Sequence, residues 1–141
     1  MATSSAKCPI CGRGDLEARV IDDVFEFASE DGPVRVEAHG VPVEICSACG
    51  EILSGAESAS VRHRAICQAL GLLSPEDIRA IRKHLGLTQA EFSKLTGIGE
   101  ATISRWERGR LLQNRANDLY LRLLAEVPQN LVYLKRAARS A

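Results

Sequence analysis

Cys8-Pro-Ile-Cys11-Gly and Cys46-Ser-Ala-Cys49-Gly are two C-x-x-C knuckles with 34 residues between them. Two residues between thiols let a tight turn aim both sulfurs at one ion. Four thiolates then make a closed tetrahedral site for Zn²⁺. Gly12 and Gly50 follow the knuckles, where a missing Cβ lets amide N–H groups approach the thiolates. A site closed by four sulfurs leaves no position for substrate. The expectation is one structural Zn²⁺ per chain on Cys8, Cys11, Cys46 and Cys49. Two disulfides or a redox C-x-x-C are the other readings; the redox form stands alone beside a βαβ unit. A compact zinc ribbon separates its pairs by about 15–20 residues, so something is inserted here.

A second chemistry lies in the run Leu87–Gly109. Thr88 and Glu91 have capping-box spacing, each side chain satisfying an orphan backbone donor at a helix start. Phe92 and Leu95 stand three apart and face a core. Gly97 supplies the positive φ that ends the first helix, and Ile98 tucks under the turn. Ile103 and Trp106 bury the inner face of a second helix. That leaves Glu100, Ala101, Thr102, Arg105 and Arg108 on its polar side. Such a pair lays its second helix in the major groove of DNA. The fork of Arg105 matches guanine O6 and N7; Ala101 and Thr102 suit a thymine methyl, and Glu100 a cytosine amino group. Gln89, Lys94, Arg108 and Arg110 are the expected phosphate contacts.

This run resembles the helix-turn-helix of the phage-repressor-like (XRE) family, over about residues 75–125. Thr88-Gln89 opens the helix as in that family, and Ile103-Ser104-Arg105-Trp106-Glu107-Arg108-Gly109 matches its recognition-helix ending. Ser93 stands where the family has a tightly packed Ala. Glu100 and Ala101 stand where many relatives carry a polar base-reading residue. A plain helix bundle is the competing reading.

Strands fill the gap between the knuckles. Arg19–Ala28 contains Val20-Ile21 and Val24-Phe25-Glu26-Phe27, and Ser29–Pro33 is a turn by composition. Val34–Ala38 and Val41–Ile45 each alternate apolar and polar residues, which predicts two further strands. Pro42 places the last one at a sheet edge. A sheet with so few aromatic residues buries little, and the metal is expected to hold it folded. Ser54 and Glu57 read as a capping box for a helix through Leu73, with Ala59, Val61, Ala65, Ile66, Ala69 and Leu70 on an uneven apolar face. Cys67 lies inside that helix as a small buried residue, with a redox-sensing thiol as the other reading. His39, His63 and His84 lack ligand spacing. Ser74 caps the next helix and Pro75 starts it, with Ile78, Ile81 and Leu85 inward. A helix over Asn114–Ala125 is expected to turn Leu119, Leu123 and Leu124 inward. Leu131, Val132 and Leu134 then need cover and are the expected homodimer contact. Lys135, Arg136 and Arg139 form a basic tail, either solvated or on phosphate.

The 141 residues carry no net charge, but the halves differ. Residues 1–73 hold 6 Lys/Arg against 11 Asp/Glu, net −5; residues 74–141 hold 12 against 7, net +5. The basic half suits a phosphate backbone; the acidic half calls for another partner. No apolar run approaches the ~20 residues of a membrane span, and Met1–Lys7 lacks the apolar core of a signal peptide. The expected location is cytoplasmic, where thiols stay reduced or metal-bound. The expected fold is α+β: a small zinc-stabilised antiparallel β domain, then an all-α XRE-like helix-turn-helix domain. The boundaries expected are 1–54 for the zinc-binding β domain, 55–73 for a linking helix, and 74–141 for DNA binding and dimerisation.

Cys8, Cys11, Cys46 and Cys49 followed by the run Leu87–Gly109 resemble the MqsA (YgiT-type) antitoxins across nearly the whole chain. The resemblance implies a structural zinc, an N-terminal domain that neutralises an mRNA-cleaving ribonuclease toxin, and a C-terminal domain that dimerises and represses its own operon at a palindromic operator in double-stranded DNA. An acidic half that meets a basic ribonuclease fits this independently. A stand-alone zinc-containing regulator without a toxin is the alternative. A zinc hydrolase is disfavoured, because four cysteines close the site and no His/Glu cluster accompanies them; the protein is not expected to be an enzyme.

Overall fold

The computed structural model describes residues 6–140, so the start read above for a signal sequence lies largely outside them. The chain forms two compact units, the first ending at Ala69 and the second beginning at Leu70. In the first, β1 (Leu16–Ser29) and β2 (Gly32–Cys46) make one long antiparallel hairpin, and β3 (Ile52–Leu53) adds a short third strand beside β2. The helix α1 (Ala56–Leu70) follows.

The two alternating runs Val34–Ala38 and Val41–Ile45 are not separate strands; they are one. Their apolar residues have opposite parity, which in a regular strand would put them on opposite faces. A bulge removes the conflict. Ile21 pairs with Val41 but Asp23 pairs with Ala38, so β2 spends one residue more than β1. Gly40 takes φ +69° at this point, and its N–H donates to Asp22 Oδ1 at 3.1 Å. Val34, Val36, Ala38, Val41, Val43 and Ile45 therefore share one face. Ala38, Val41 and Val43 form its buried centre, with Ile21, Phe25, Ile45, Val61 and Ala65 packed around them.

Pro42 is central rather than at an edge, because β2 lies between β1 and β3. Its carbonyl accepts from the Ser58 hydroxyl on α1, so its backbone faces away from β1. β3 stops at Leu53, paired with Glu44. The missing N–H of Pro42 thus costs no ladder bond. The first turn of α1 is closed by Ser58 rather than by Ser54: Ser58 Oγ accepts from Gly55 N–H at 3.1 Å. Ser54 instead accepts from Arg62 Nη1, and Arg62 Nε reaches Asp23 Oδ2 on β1 at 2.7 Å. Cys67 is buried on α1, as its surroundings in the sequence imply.

The second unit is all helix: α2 (Pro75–His84), α3 (Gln89–Thr96), α4 (Glu100–Glu107), α5 (Arg115–Glu126) and α6 (Pro128–Arg139). Both expected caps are present. Ser74 and Asp77 form a capping box on α2, and Thr88 and Glu91 form one on α3. Gly97 ends α3 at φ +76°, the left-handed conformation that a side chain resists. Ile78, Phe92, Ile103, Trp106, Leu121 and Leu124 make the core, with Ile81, Leu85, Ile98 and Leu134 against it. The α5 face differs from expectation: Leu121 is buried while Leu119 and Leu123 are 45% and 53% exposed. Asp118 sets that rotation. It is fully buried, and it accepts from Leu73 N–H at 2.7 Å, from Arg122 Nε at 2.7 Å and from Gln113 Nε2 at 3.1 Å. Residues 118, 121 and 124 share the inward face, which turns 119 and 123 out. No helix among the described residues is long and apolar enough to cross a membrane.

The bulge gives a direct test of the hairpin. Deleting His39 and Gly40 together takes away the bulge residue and one more, which should put the Val34 and Val41 runs on opposite faces and cost the first unit more than about 3 kcal/mol, the loss of a few buried aliphatic side chains. Amide hydrogen exchange along β1 should lose its protection, while fluorescence of the single Trp106 in the second unit stays native. Retained β1 protection would overturn the bulge assignment.

Candidate metal centre and nucleic-acid interface

The hairpin register explains how two knuckles far apart in sequence meet. Leu16 pairs with Cys46, so β1 begins just after the first knuckle at the point where β2 delivers the second. Ser47 N–H donates to the Asp15 carbonyl at 3.0 Å, and Asp15 N–H donates to Ser47 Oγ at 3.1 Å. These bonds lock the two loops side by side.

The four Sγ atoms of Cys8, Cys11, Cys46 and Cys49 all lie within 4.8 Å of one another. Cys11 and Cys46 sulfurs are 3.6 Å apart, and those of Cys8 and Cys49 are 3.9 Å apart. A tetrahedron of about 2.3 Å zinc–sulfur bonds has edges of about 3.8 Å, so the cluster fits a zinc ion. At two of the positions, backbone amides bring the thiol below its ordinary value. Cys46 is pulled down to about 6, first by the Cys49 N–H and then by that of Ala48. Cys11 is lowered by the Gly14 and Arg13 amides. At Cys49 the Glu51 amide also favours thiolate, but the Cys46 sulfur, burial, and the Cys11 and Cys8 sulfurs together push it up to about 12. Four thiolates cannot crowd this closely without a cation between them. The donor set therefore suits a dication.

The glycines work differently from expectation. Gly12 and Gly50 have positive φ, and their N–H groups close the knuckle turns onto the Cys8 and Cys46 carbonyls at 2.9 Å and 3.0 Å. A Cβ on either would meet nothing within 4 Å. Gly14 is where space is short: a Cβ there would stand 2.3 Å from Cys46 Sγ and 2.7 Å from Ala48 N. Spacing alone does not reveal Gly14, because it lies outside both knuckles.

In the second unit, Ala101 and Arg105 are exposed on α4 and Arg108 is exposed at its C-cap, and their spacing of four and three residues puts them on one side of the helix. Glu100, Lys94 and Arg110 are also exposed, and Thr102 is half-buried. Gln89 is engaged elsewhere: its Nε2 donates to Glu107 Oε2 at 2.9 Å. Glu107 is the residue that the sequence reading passed over. It is buried and receives Arg82 through two bonds, Nε at 2.6 Å and Nη2 at 3.0 Å. Arg79 Nη2 donates to its carbonyl at 2.8 Å. Three side chains from α2 and α3 thus converge on the last residue of α4. That convergence fixes the helix that presents Arg105. Of the expected dimer residues, Val132 is exposed, Leu131 is half-buried and Leu134 packs on the core of its own unit.

The family profile described as the antitoxin component of a bacterial toxin-antitoxin system, MqsA, matches residues 6–135. Antitoxin MqsA of Escherichia coli (strain K12) is 28% identical over 128 residues, which is 87% of this chain and 95% of that protein. The profile match runs across the cysteine cluster and the helix pair.

Burial would raise the Glu107 pKa, but Arg82, Gln89 and Arg79 more than offset it and hold it below the ordinary carboxylate value. A carboxylate depressed in this way stabilises the fold above its unfolded pKa of about 4.3, and that contribution is lost as pH falls through the lower folded value. Glu107→Gln should cost about 3 kcal/mol at pH 7, because it leaves a mostly buried Arg82 unmatched. The deficit should shrink below about pH 4. Urea unfolding followed by Trp106 fluorescence reads both, and a deficit that is the same at pH 7 and pH 3 would contradict the ion pair.

Proposed function

Because the chain belongs to the MqsA antitoxin family, we propose that it is a non-enzymatic antitoxin and autorepressor that works in the cytoplasm. Its first unit holds one structural Zn²⁺ per chain on Cys8, Cys11, Cys46 and Cys49 and neutralises a ribonuclease toxin. Its second unit binds a palindromic operator in double-stranded DNA as a homodimer. The observation that carries this reading is the continuity of the family match from residue 6 to residue 135, across both units. Separate features of each unit support it. The sulfur cluster has spacing that suits a tetrahedral ion and already offers four thiolates, which suits a structural ion better than a catalytic one. The net charges of −5 and +5 in the two halves suit a basic protein and a phosphate backbone respectively.

On the DNA side, Arg105 is the base reader, with Glu100, Ala101 and Thr102 around it. Lys94, Arg108 and Arg110 hold phosphates. Gln89 now has a different part in this scheme, since its amide is committed to Glu107. It steadies α4 and leaves only its backbone N–H near the start of α3 for a phosphate. The dimer contact draws on exposed apolar residues of the last two helices. Leu119, Leu123 and Val127 recur every four residues, and Val132 and Tyr133 are exposed on α6. Leu131 joins them, while Leu134 supports the contact from within its own core.

The test is binding to the DNA upstream of the chain's own gene, in competition with operator variants at two salt concentrations. The wild type should bind with two chains per palindrome. Arg105→Ala should lose about 1–3 kcal/mol of preference at one base pair in each half-site. Lys94→Ala should weaken binding to all sequences alike, with a salt slope smaller by about one contact per half-site. An Arg105→Ala protein with full base preference would remove α4 from the reading role.

A further inference from the structure

The hairpin has two faces, and only one is covered. Ile21, Phe25, Val36, Ala38, Val41, Val43 and α1 occupy the inner face. The outer face carries Ala18, Val20, Asp22, Val24, Glu26 and Ala28 from β1, opposite Glu44, Pro42, Glu37, Arg35 and Pro33 from β2. Val20 is 71% exposed and Val24 is 53% exposed. A solvated sheet face ordinarily carries polar residues at such positions. Around these valines stand four carboxylates, Asp22, Glu26, Glu37 and Glu44, all exposed. Arg35 offsets one of them through its bond to Glu37 at 3.3 Å, and His39 lies 3.4 Å from Asp22.

We propose that this outer face is a docking surface for a basic protein, with Val20 and Val24 as the apolar anchor and the carboxylates as an acidic rim. This rests on the antitoxin reading and names the surface that would meet the toxin. An apolar centre within a charged border is the usual anatomy of a specific interface. The sign of the border selects the partner: a face with this excess of carboxylates repels nucleic acid and anionic lipid and steers a cationic protein.

One end of the face has a shape that sharpens the choice. A groove of about 690 Å³ opens there, lined by Ala18, Val20, Pro42, Leu53, Glu44 and Glu57 among others. It lies where β3 stops, beside the start of α1. Its walls offer apolar surface for an aliphatic stem and two carboxylates for a cationic head. A lysine or arginine side chain of the partner matches both features. Arg19 also lines the groove and is held by Glu17 at 2.6 Å, so it leaves Glu44 and Glu57 to the incoming cation.

The test uses the full chain, and its probe is the small protein encoded beside the chain's gene, co-expressed and purified with it. Affinity is measured by calorimetry for the wild type, Val20→Lys/Val24→Lys and Glu44→Lys/Glu57→Lys. All four positions are exposed, so metal content and operator binding should match the wild type. The valine pair should lose about 30-fold or more in affinity, as anchor residues do. The glutamate pair should lose about 10-fold and show a weaker dependence on salt. A wild type that binds no such protein overturns the antitoxin reading and this surface with it. A wild type that binds, with both double variants binding equally well, overturns the surface alone. Variants that change the oligomeric state of the free chain but leave partner affinity intact would assign the face to a second copy instead.

Discussion

The pairing of Leu16 with Cys46 is the contact on which the first unit depends. It closes the mouth of a 31-residue excursion, counted from Leu16 to Cys46, and sets two knuckles against each other. Everything on the way out and back has to keep that register. A slip of one residue would turn Cys46 to the wrong face and scatter the sulfurs. The Gly40 bulge absorbs the odd residue in β2, Asp22 holds it, and Gly14 leaves room for Cys46 Sγ. A sheet that buries only a few aliphatic side chains gains little from hydrophobic burial alone. The sulfur cluster closes the hairpin where the hydrophobic contribution is weakest.

The second unit is built on a different principle. Its core is contiguous and apolar, and two buried carboxylates fix the elements around it. Glu107 ties the end of α4 to α2 and α3. Asp118 ties α5 to the chain at Leu73, where the unit begins, and Arg122 and Arg115 add bonds to the Gly71 carbonyl at 3.1 Å and 3.5 Å. Each carboxylate is matched by several donors, which is the condition under which buried charge is tolerated. The result is that a short, eight-residue α4 without a side-chain N-cap is still held in one orientation.

The parts legible in the sequence were those with local signals. The knuckles, the Ser74 cap, the Thr88–Glu91 capping box, the Gly97 turn and the inward Ile78, Phe92, Ile103 and Trp106 all depend on spacings of two to four residues, and the structure has each of them, whereas the capping box read at Ser54 and Glu57 does not form. The parts that were not legible depend on long-range pairing. The change of parity between Ala38 and Val41 looks like a turn until β1 is laid beside it. Glu107 and Asp118 read as ordinary helix-surface charges, because their partners stand far off in sequence at Arg82 and Leu73. The rotation of α5 followed from Asp118, so Leu119 and Leu123 were misplaced with it. Ser58 was missed for the same reason: its acceptor is Pro42, on another element.

The chain joins two units built differently, a sheet in the acidic half closed by four sulfurs and a helix set in the basic half held by packing. The central claim is that a metal ion on the four cysteines holds the first unit folded and that the second unit does not need it. The most direct measurement is chelation of the full chain with one equivalent of metal bound, followed together by zinc release, hydrogen exchange of β1 and Trp106 fluorescence. The account predicts one zinc released per chain, loss of β1 protection in step with it, and an unchanged Trp106 signal. Protein that carries no zinc when purified without chelator, or a hairpin that stays protected after the metal has gone, would contradict it.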